Sequence, residues 1–486
     1  MAGIGFKLQK LLVEDMYLSL FQGFFYSLVI TSGPWLIMVI SLASLSVLSS
    51  FLLSTADNTL FNILLVHIFS FTIIITGTVQ LFFTRIFADK MYSKERAELP
   101  VVIISNLFFA LMVTSLLITP FVFFLEIAFN IKIIVFSLFL TMTITWVLMN
   151  YISASEEFMG FIKHYVIGSI VGVALGTGLG YSLHFAGFFL GFFMGQAYIA
   201  IVLVIQSLKI FGFPDRVDFG YFKNFKDCHI LLVSGFCLYG GMWVDKFIYW
   251  YGPTGEEYSP LLYFHGSYND IFYLAYLCTT PIMAIFFIAM ETSFYKRYYA
   301  YNKAMTNKAT LDDLRKLRDE IVICIKEQLT NIVRIQGLII LLAILFSSQL
   351  LSFFKIDPSL TELFIVILIG AFFHMLFLIV CVILLYFDLR QVTAKIYAAF
   401  FALNLVGTLI FLQLPQVFMG FGYGLAAISV FIFALFQLKA SLANINYLSF
   451  TRHPMAETQI DEVYLPESGT YGRYYIKDGQ HLISSD

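Results

Sequence analysis

Residues 30–38, ITSGPWLIM, place a Gly-Pro pair inside the first long apolar run of the chain, residues 21–53. Proline removes a helical hydrogen bond, and glycine weakens a helix interior. A straight helix over this run would be about 50 Å long, whereas the hydrocarbon core of a bilayer is about 30 Å thick. The stretch therefore predicts a first membrane-spanning helix that bends at Gly33 and Pro34.

Two interpretations of this bend stay open. Gly33 and Pro34 form either a passive kink or the hinge of a gate. Thr31 and Ser32 lie beside the break. Their hydroxyl groups can bond to backbone groups that proline frees, which is how membrane helices tolerate proline.

The composition excludes an ordinary soluble domain. The 486 residues are 60% hydrophobic and only 12% charged, with a mean hydropathy of +0.86, against roughly 25% charged residues in soluble proteins. The net charge of −2 gives no information about partners, and no nucleic-acid partner is predicted. The five cysteines are scattered without metal-ligand spacing, so no metal site is predicted. The bilayer is the expected environment.

Apolar runs of about 20 residues are long enough to cross a bilayer, and the chain has twelve of them. We therefore predict an all-α integral membrane protein with twelve transmembrane helices. The first six are expected at about 21–53, 60–87, 100–127, 131–152, 165–185 and 187–208. The second six are expected at about 229–251, 269–292, 331–352, 361–386, 395–412 and 420–443.

The distribution of basic residues tests this arrangement. With the N-terminus inside, 26 of the 29 Lys and Arg residues fall in inner segments. Only Lys132, Lys246 and Lys355 lie on or near the outer side. Because inner loops of membrane proteins carry an excess of Lys and Arg, both termini are predicted to be cytoplasmic. The expected location is the cytoplasmic membrane.

A polar loop at 209–228 divides the chain into two bundles of six helices, at 1–208 and 229–443. Two such bundles are typical of transporters built around a central path. An amphipathic helix is predicted at about 310–330, and a cytoplasmic tail at 444–486. Two interpretations of the amphipathic helix stay open: it lies on the lipid headgroups, or it is a contact surface for a cytosolic partner.

Glycines recur along the fifth and sixth predicted spans. Small residues at such spacing let helix backbones approach closely, so close packing is favoured over a flexible gate. The predicted packing positions are Gly168, Gly172, Gly176, Gly180, Gly187, Gly191 and Gly195.

Aromatic residues concentrate at the outer end of the second bundle. Aromatic faces suit sugar rings, although an interfacial aromatic belt has the same composition. Asp245 lies at membrane depth, where a charge usually faces a cavity or a partner. Lys246 is expected to extend outward, because neighbouring residues diverge by about 100° on a helix. The candidate substrate path is Asp245, Tyr239, Trp243, Tyr249, Tyr273 and Tyr276.

Other polar residues inside the spans are expected to form hydrogen bonds between helices rather than a proton relay. They are His67, Gln80, Asn106, Asn150, His374 and Asn404. No phosphate-binding G-x-x-x-x-G-K-[ST] loop, H-E-x-x-H motif or nucleophile elbow occurs. A non-enzymatic protein without a cofactor is predicted.

Four short motifs carry a family resemblance. The segments MAGIGFKLQKLL (1–12), SGPW (32–35), FYKRYYAY (294–301) and YFDLR (386–390) resemble the PelG family. Its members are transporter subunits of the Pel exopolysaccharide system, in the polysaccharide branch of the multidrug/oligosaccharidyl-lipid/polysaccharide (MOP) exporter superfamily. Bent first helices also occur in that superfamily.

The resemblance implies a MOP-exporter-like fold and export of a cationic, amino-sugar-rich polysaccharide across the cytoplasmic membrane during biofilm formation. It also implies partners: a cytosolic glycosyltransferase and membrane subunits of a Pel-type synthase complex, including a cyclic-di-GMP receptor.

Three alternatives remain open. One is a multidrug or cation antiporter of the same superfamily, which is less favoured because the first span has no carboxylate between Asp15 and Asp57. A second is a lipid-linked oligosaccharide flippase, which should have a basic cavity for its pyrophosphate headgroup. The third is a membrane scaffold of a polysaccharide synthase complex.

Overall fold

The computed structural model describes residues 17–153, 158–221, 225–307, 309–447, 463–465, 470–477 and 480–484. The motif at 1–12 and most of the predicted tail at 444–486 lie outside the described residues.

The first part of the chain is helical. Its helices are α1 (Tyr17–Ser50), α2 (Thr55–Tyr92), α3 (Glu98–Phe124), α4 (Phe129–Ile152) and α5 (Phe158–Phe211). The backbone of α5 leaves helical geometry at His184 (φ 49°, ψ −128°), so α5 consists of two helices that meet there. Ser54 caps α2 by accepting a hydrogen bond from the Asp57 amide.

The second part is also mainly helical, with a small β-hairpin after its first helix. In order, its elements are α6 (Phe225–Tyr251), β1 (Glu256–Ser259), β2 (Leu262–Phe264), α7 (Gly266–Thr279), α8 (Pro281–Ala289), α9 (Tyr295–Thr306), α10 (Leu311–Leu345), α11 (Ser347–Phe353), α12 (Thr361–Tyr386), α13 (Arg390–Phe411) and α14 (Phe421–Ala443). Three antiparallel strands follow: β3 (Val463–Leu465), β4 (Thr470–Lys477) and β5 (Gln480–Ser484).

Two predicted elements differ in detail from the structure. The expected single helix at 269–292 is divided into α7 and α8, because Pro281 starts a new helix after Thr279. A π-helical turn, Met290–Phe294, then leads into α9. In contrast, the predicted amphipathic helix and the first part of the predicted ninth span form the single helix α10, which Thr310 caps by accepting from the Asp313 amide. The end of that predicted span lies in α11.

The described residues contain eleven helices that are long and apolar enough to cross a membrane. One of them, Gly160–Phe211, has 52 residues and includes the break at His184. The predicted all-α, multi-pass membrane protein is therefore confirmed.

Buried apolar side chains form two large clusters. One extends from Met38 to Leu203 and includes Leu231 and Leu262. The other extends from Cys237 to Ile445. Helices α1 to α5 thus share one core, and helices α6 to α14 share most of the other.

The two helices of α5 lie against each other along their glycines. A Cβ atom added at Gly195 would lie 2.5 Å from Gly172 Cα, and one added at Gly191 would overlap the Gly176 backbone nitrogen. A Cβ atom at Gly187 would overlap the Leu179 carbonyl oxygen. Close approach of the backbones therefore requires glycine at these positions.

The segment between α5 and α6 contacts α3. Arg216 forms an ion pair of 2.6 Å with Glu98, and the Asp218 amide donates to Ser105 Oγ at 2.8 Å. The Tyr221 hydroxyl donates to Glu98 at 3.3 Å. Partial burial and the Glu98 charge raise the pKa of Tyr221 to about 12. This segment is thus anchored to the first group of helices.

Candidate substrate cavity

A cavity of about 460 Å³ lies between the two groups of helices. Helices α1, α2 and α4 form one wall, and α6 and α7 form the other. Its lining is Thr31, Pro34, Trp35, Ile73, Thr76, Gln80, Trp146, Met149, Asn150, Ser153, Tyr239, Met242, Trp243, Lys246, Asn269, Phe272, Tyr273 and Tyr276. The lining combines aromatic rings with amide and hydroxyl groups.

Four residues of the predicted substrate path line this cavity: Tyr239, Trp243, Tyr273 and Tyr276. Tyr239 also connects the two walls, because its hydroxyl group donates to Gln80 Oε1 at 3.1 Å. The predicted path therefore identifies much of the aromatic part of the second wall.

The structure places the other two path residues behind the wall. Asp245 is fully buried. It accepts hydrogen bonds from the Tyr268 hydroxyl at 2.6 Å and from Asn404 Nδ2 at 3.3 Å. Tyr249 is also buried, and its hydroxyl accepts from the Gly420 amide at 3.2 Å. Neither residue lines the cavity, so the expectation that they face it is wrong.

Lys246, rather than Asp245, is the charged residue of the cavity lining. Its Nζ atom donates to the Met242 carbonyl at 2.8 Å and lies 3.5 Å from Asp245 Oδ1. The same atom lies 3.1 Å from the centroid of the Phe272 ring. The expectation that Lys246 extends outward and is a poor partner for Asp245 is therefore wrong. The long lysine stem reaches back by one helical turn, so the divergence of Cα–Cβ directions does not keep the charges apart.

The candidate hinge is adjacent to the cavity. Pro34 contributes to the lining, whereas Gly33 faces α5, where an added Cβ would lie 3.1 Å from Ile162 Cδ1. Helix α1 continues through Pro34. The Thr31 hydroxyl donates to the Ser27 carbonyl at 2.9 Å, and the Ser27 hydroxyl donates to the Ala284 carbonyl of α8 at 2.9 Å. The region around the proline thus joins both groups of helices.

Hydrogen bonds between helices are confirmed for four of the polar span residues, one of which is Gln80 with its bond to Tyr239. Asn106 Nδ2 donates to the Tyr151 hydroxyl at 2.8 Å, which joins α3 to α4. Asn404 Nδ2 donates to the Gly241 carbonyl at 2.9 Å, which joins α13 to α6. His374 Nδ1 lies 3.2 Å from the Tyr276 hydroxyl, so a residue of the cavity wall is linked to α12.

The close contact between α2 and α6 was not predicted from the sequence. A Cβ atom added at Gly235 would lie 2.5 Å from the Gly77 carbonyl oxygen, and Gly77 packs under the Tyr239 ring. The available signal was the single glycine of the predicted span 60–87, Gly77, and the glycines of the predicted span 229–251, which are Gly235, Gly240 and Gly241. It lacked the four-residue repeat that marked α5.

An aromatic cluster follows the cavity wall toward the C-terminal end of α6. His67 and Trp250 have ring centroids 4.6 Å apart, and Phe71 and Phe247 have centroids 5.6 Å apart. Phe71 also contacts Phe121 of α3. We call these five residues the closing cluster, because they fill the contact between α2 and α6 beyond the cavity.

Two groups of helices around a central cavity define the class of this protein by its fold, as a multi-pass membrane protein. Solved structures of MOP-superfamily transporters have a similar fold. A MATE protein in its bent conformation is 10% identical, with a TM-score of 0.59 over 87% of this chain and 96% of that chain. An outward-facing multidrug resistance MATE family transporter is 12% identical, with a TM-score of 0.54 over 86% and 96%.

A third structure with this fold is a MOP superfamily transporter from Pyrococcus furiosus. The reverse polarity of its binding pocket has been taken to suggest that this transporter has a different function. It is 11% identical, with a TM-score of 0.58 over 86% of this chain and 96% of that chain. The family model for PelG, described as "Putative exopolysaccharide Exporter (EPS-E)", matches residues 1–450. The chain belongs to the PelG family. No curated protein matches the sequence.

Proposed function

We propose that the protein is a non-enzymatic exporter that moves an amino-sugar-rich exopolysaccharide through the cavity between its two groups of helices. Membership of the PelG family supports a role in exopolysaccharide export. The observation that carries the substrate assignment is the lining of the cavity, which is aromatic and hydrogen-bonding, with one lysine.

The lining matches the chemistry of a sugar chain. Rings of Trp146, Tyr239 and Trp243 offer flat faces to the apolar C–H patches of sugar rings. Side-chain amides of Gln80 and Asn150 offer donors and acceptors for hydroxyl and amide groups. A few polar groups on a mostly apolar lining are typical of sites that bind uncharged organic molecules.

The charges of the site disfavour a cation as substrate. Lys246 is the charged residue of the lining, and the described residues that line the cavity include no carboxylate. Asp245 lies behind the wall and faces Lys246, so the pair carries no net charge. A cation antiporter would place negative charge in the cavity, and a pyrophosphate flippase would place unpaired positive charge there. The observed pair favours sugar units without net positive charge, which differs from the cationic polymer that the resemblance implies.

The distribution of Lys and Arg supports an orientation with both termini in the cytoplasm and twelve crossings, if the two helices of α5 are counted separately. In this orientation Ser153 lies at the cytoplasmic end of the cavity and the closing cluster lies on the outer side. A polymer made by a cytosolic glycosyltransferase would enter past Ser153. Membrane subunits of a Pel-type synthase complex, including a cyclic-di-GMP receptor, would complete the assembly.

The experiment measures polymer transfer across vesicles that contain the purified protein and the glycosyltransferase, supplied with UDP-linked sugar. We expect Trp243→Ala to reduce the transfer rate by about fivefold, the effect of losing one aromatic contact worth about 1 kcal/mol. Tyr92→Ala is the matched control, because Tyr92 is almost fully exposed and remote from the cavity. Transfer in vesicles that lack the protein would refute the proposal.

The same vesicles separate the alternatives. Movement of a lipid-linked oligosaccharide without the glycosyltransferase would identify a flippase. Counter-transport of a cationic drug and protons would identify an antiporter. Binding of the glycosyltransferase without any transfer of polymer would identify a scaffold.

A further inference from the structure

We propose that a groove between α10 and α14 is a binding site for an acidic membrane phospholipid. The groove has a volume of about 620 Å³. We call it the basic groove. It is lined by Arg318, Asp319, Val322, Ile325, Lys326, Leu329, Thr330, Leu435, Leu438, Lys439, Leu442 and Ala443. None of these residues belongs to the cavity, so this inference is independent of the proposed function.

Two lysines give the groove its charge. Lys326 comes from α10 and Lys439 from α14, and neither forms an ion pair with another described residue. Arg318 is paired with Asp319 at 2.7 Å, so this pair adds no net charge. The two unpaired ammonium groups, one on each wall, form a site for a phosphate group.

The remaining lining is apolar and suits acyl chains. Ile325 and Leu329 line the groove on the α10 side, and Leu435, Leu438 and Leu442 line it on the α14 side. Leu435 is 37% exposed, so this surface is open at the side of the molecule. A ligand that fits must combine negative charge with hydrocarbon, which is the chemistry of a phospholipid.

The groove lies where both helices pass from polar to apolar sequence. Helix α10 has 35 residues and is about 52 Å long, so it extends beyond a hydrocarbon core of about 30 Å. Its charged residues occur up to Arg334, and residues 335–345 carry none. Lys439 lies one turn before α14 ends at Ala443. Both lysines are therefore close to the level of lipid headgroups.

This position favours a lipid over a protein segment as the occupant. Basic pockets between membrane helices at the cytoplasmic side are the sites where acidic lipid headgroups bind. To fill the α14 side of the groove, a protein partner would have to reach Leu435 and Leu438 inside the predicted span 420–443, where its backbone groups would lack hydrogen-bond partners. The phospholipid has no such cost.

The experiment titrates the full-length protein, purified in detergent, with phosphatidylglycerol or phosphatidylcholine and counts bound lipids by native mass spectrometry. We expect the wild type to prefer phosphatidylglycerol. Each interfacial lysine contributes about 1 kcal/mol toward an acidic lipid, so Lys326→Gln/Lys439→Gln should bind phosphatidylglycerol about 30-fold more weakly. The matched control is Lys316→Gln/Lys395→Gln, which removes two exposed lysines outside the groove.

A second variant keeps the test informative if the double substitution unfolds the protein. Leu435→Trp fills the apolar part of the groove without a change of charge, and it should also weaken phosphatidylglycerol binding. Equal binding of the two lipids by the wild type would refute the proposal. Unchanged lipid binding by the groove variants would also refute it. If these variants bound lipid normally but lost a protein partner or contact with residues 444–486, the groove would have a different occupant and the proposal would be wrong.

Discussion

Two regions hold helices together in different ways. One is the glycine hairpin, the two helices of α5 that pack through Gly172, Gly176, Gly191 and Gly195. The other is the polar cluster of Asp245, Lys246, Tyr268 and Asn404. In the hairpin the backbones touch, since an added Cβ at Gly195 would lie 2.5 Å from Gly172 Cα. In the cluster, side chains bridge the helices, as when the Tyr268 hydroxyl of α7 donates to Asp245 of α6 at 2.6 Å. Neither region relies on the hydrophobic effect, which is weak between helices in lipid.

The comparison separates two kinds of sensitivity. Backbone contact leaves no room for an extra atom, so the hairpin should respond to side-chain size. When one charge of a buried ion pair is removed, the other charge stays buried without compensation. The stability of the cluster should therefore depend on a change of charge even when the side chain keeps its size. Two substitutions test this distinction, and a third tests the hinge at Gly33; they follow in order of decreasing expected effect on stability.

Asp245→Asn should have the largest effect, because it keeps the shape of the side chain but leaves the Lys246 ammonium buried and unpaired. We expect the free energy of unfolding to fall by about 3 kcal/mol. Thermal unfolding of the purified protein in detergent measures the change.

The control for this prediction is the double variant Asp245→Asn/Lys246→Met. It removes both charges and should recover much of the lost stability. If Asp245→Asn were as stable as the wild type, the cluster would not depend on charge and the comparison would fail on this side.

Gly191→Ala should have an intermediate effect. Its new methyl group would overlap the Gly176 backbone, and overpacking of this kind costs about 1–3 kcal/mol. Gly178→Ala is the matched control in the other helix of α5, because an added Cβ there has no atom within 4 Å. The same unfolding assay should show a loss for Gly191→Ala alone. Equal stability of both variants would contradict backbone contact as the basis of the hairpin.

Gly33→Ala should have the smallest effect on stability and tests the hinge proposal. A Cβ at this position would lie 3.1 Å from the flexible end of Ile162, while alanine improves the helix by about 0.5–1 kcal/mol, so the two contributions nearly cancel. If Gly33 and Pro34 form a working hinge, polymer transfer in vesicles should fall although the unfolding temperature changes little. Transfer at the wild-type rate would leave a passive kink as the explanation.

Much of the helical framework could be predicted from the sequence. The span expected at 361–386 coincides with α12, and the one expected at 420–443 differs from α14 by one residue. The bounds of these helices depend on local features, which are the length of the apolar run and the basic residues that flank it. The Thr310 cap of α10 is also a local feature, because it depends on residues three apart in the chain. The resemblance to PelG is confirmed by the family model.

The candidate site was predicted only in part. Tyr239, Trp243, Tyr273 and Tyr276 line the cavity, but Asp245 does not. Neighbouring residues of α6 differ in whether their side chains line the cavity or lie behind its wall. The sequence does not show which face of α6 meets α7 and α13, so it could not distinguish Asp245 from Lys246.

By itself, the sequence determined that this chain crosses a membrane many times and which segments are its helices, because burial of an apolar helix in lipid depends on that segment alone. Only the tertiary structure decided that Pro34 and Lys246 line one cavity and that Asp245 lies behind Lys246. Those positions depend on how separate helices rotate and pack against each other. The sequence thus predicted that the proline of ITSGPWLIM lies inside a membrane-spanning helix. Only the packing of the helices showed that Pro34 lines the cavity.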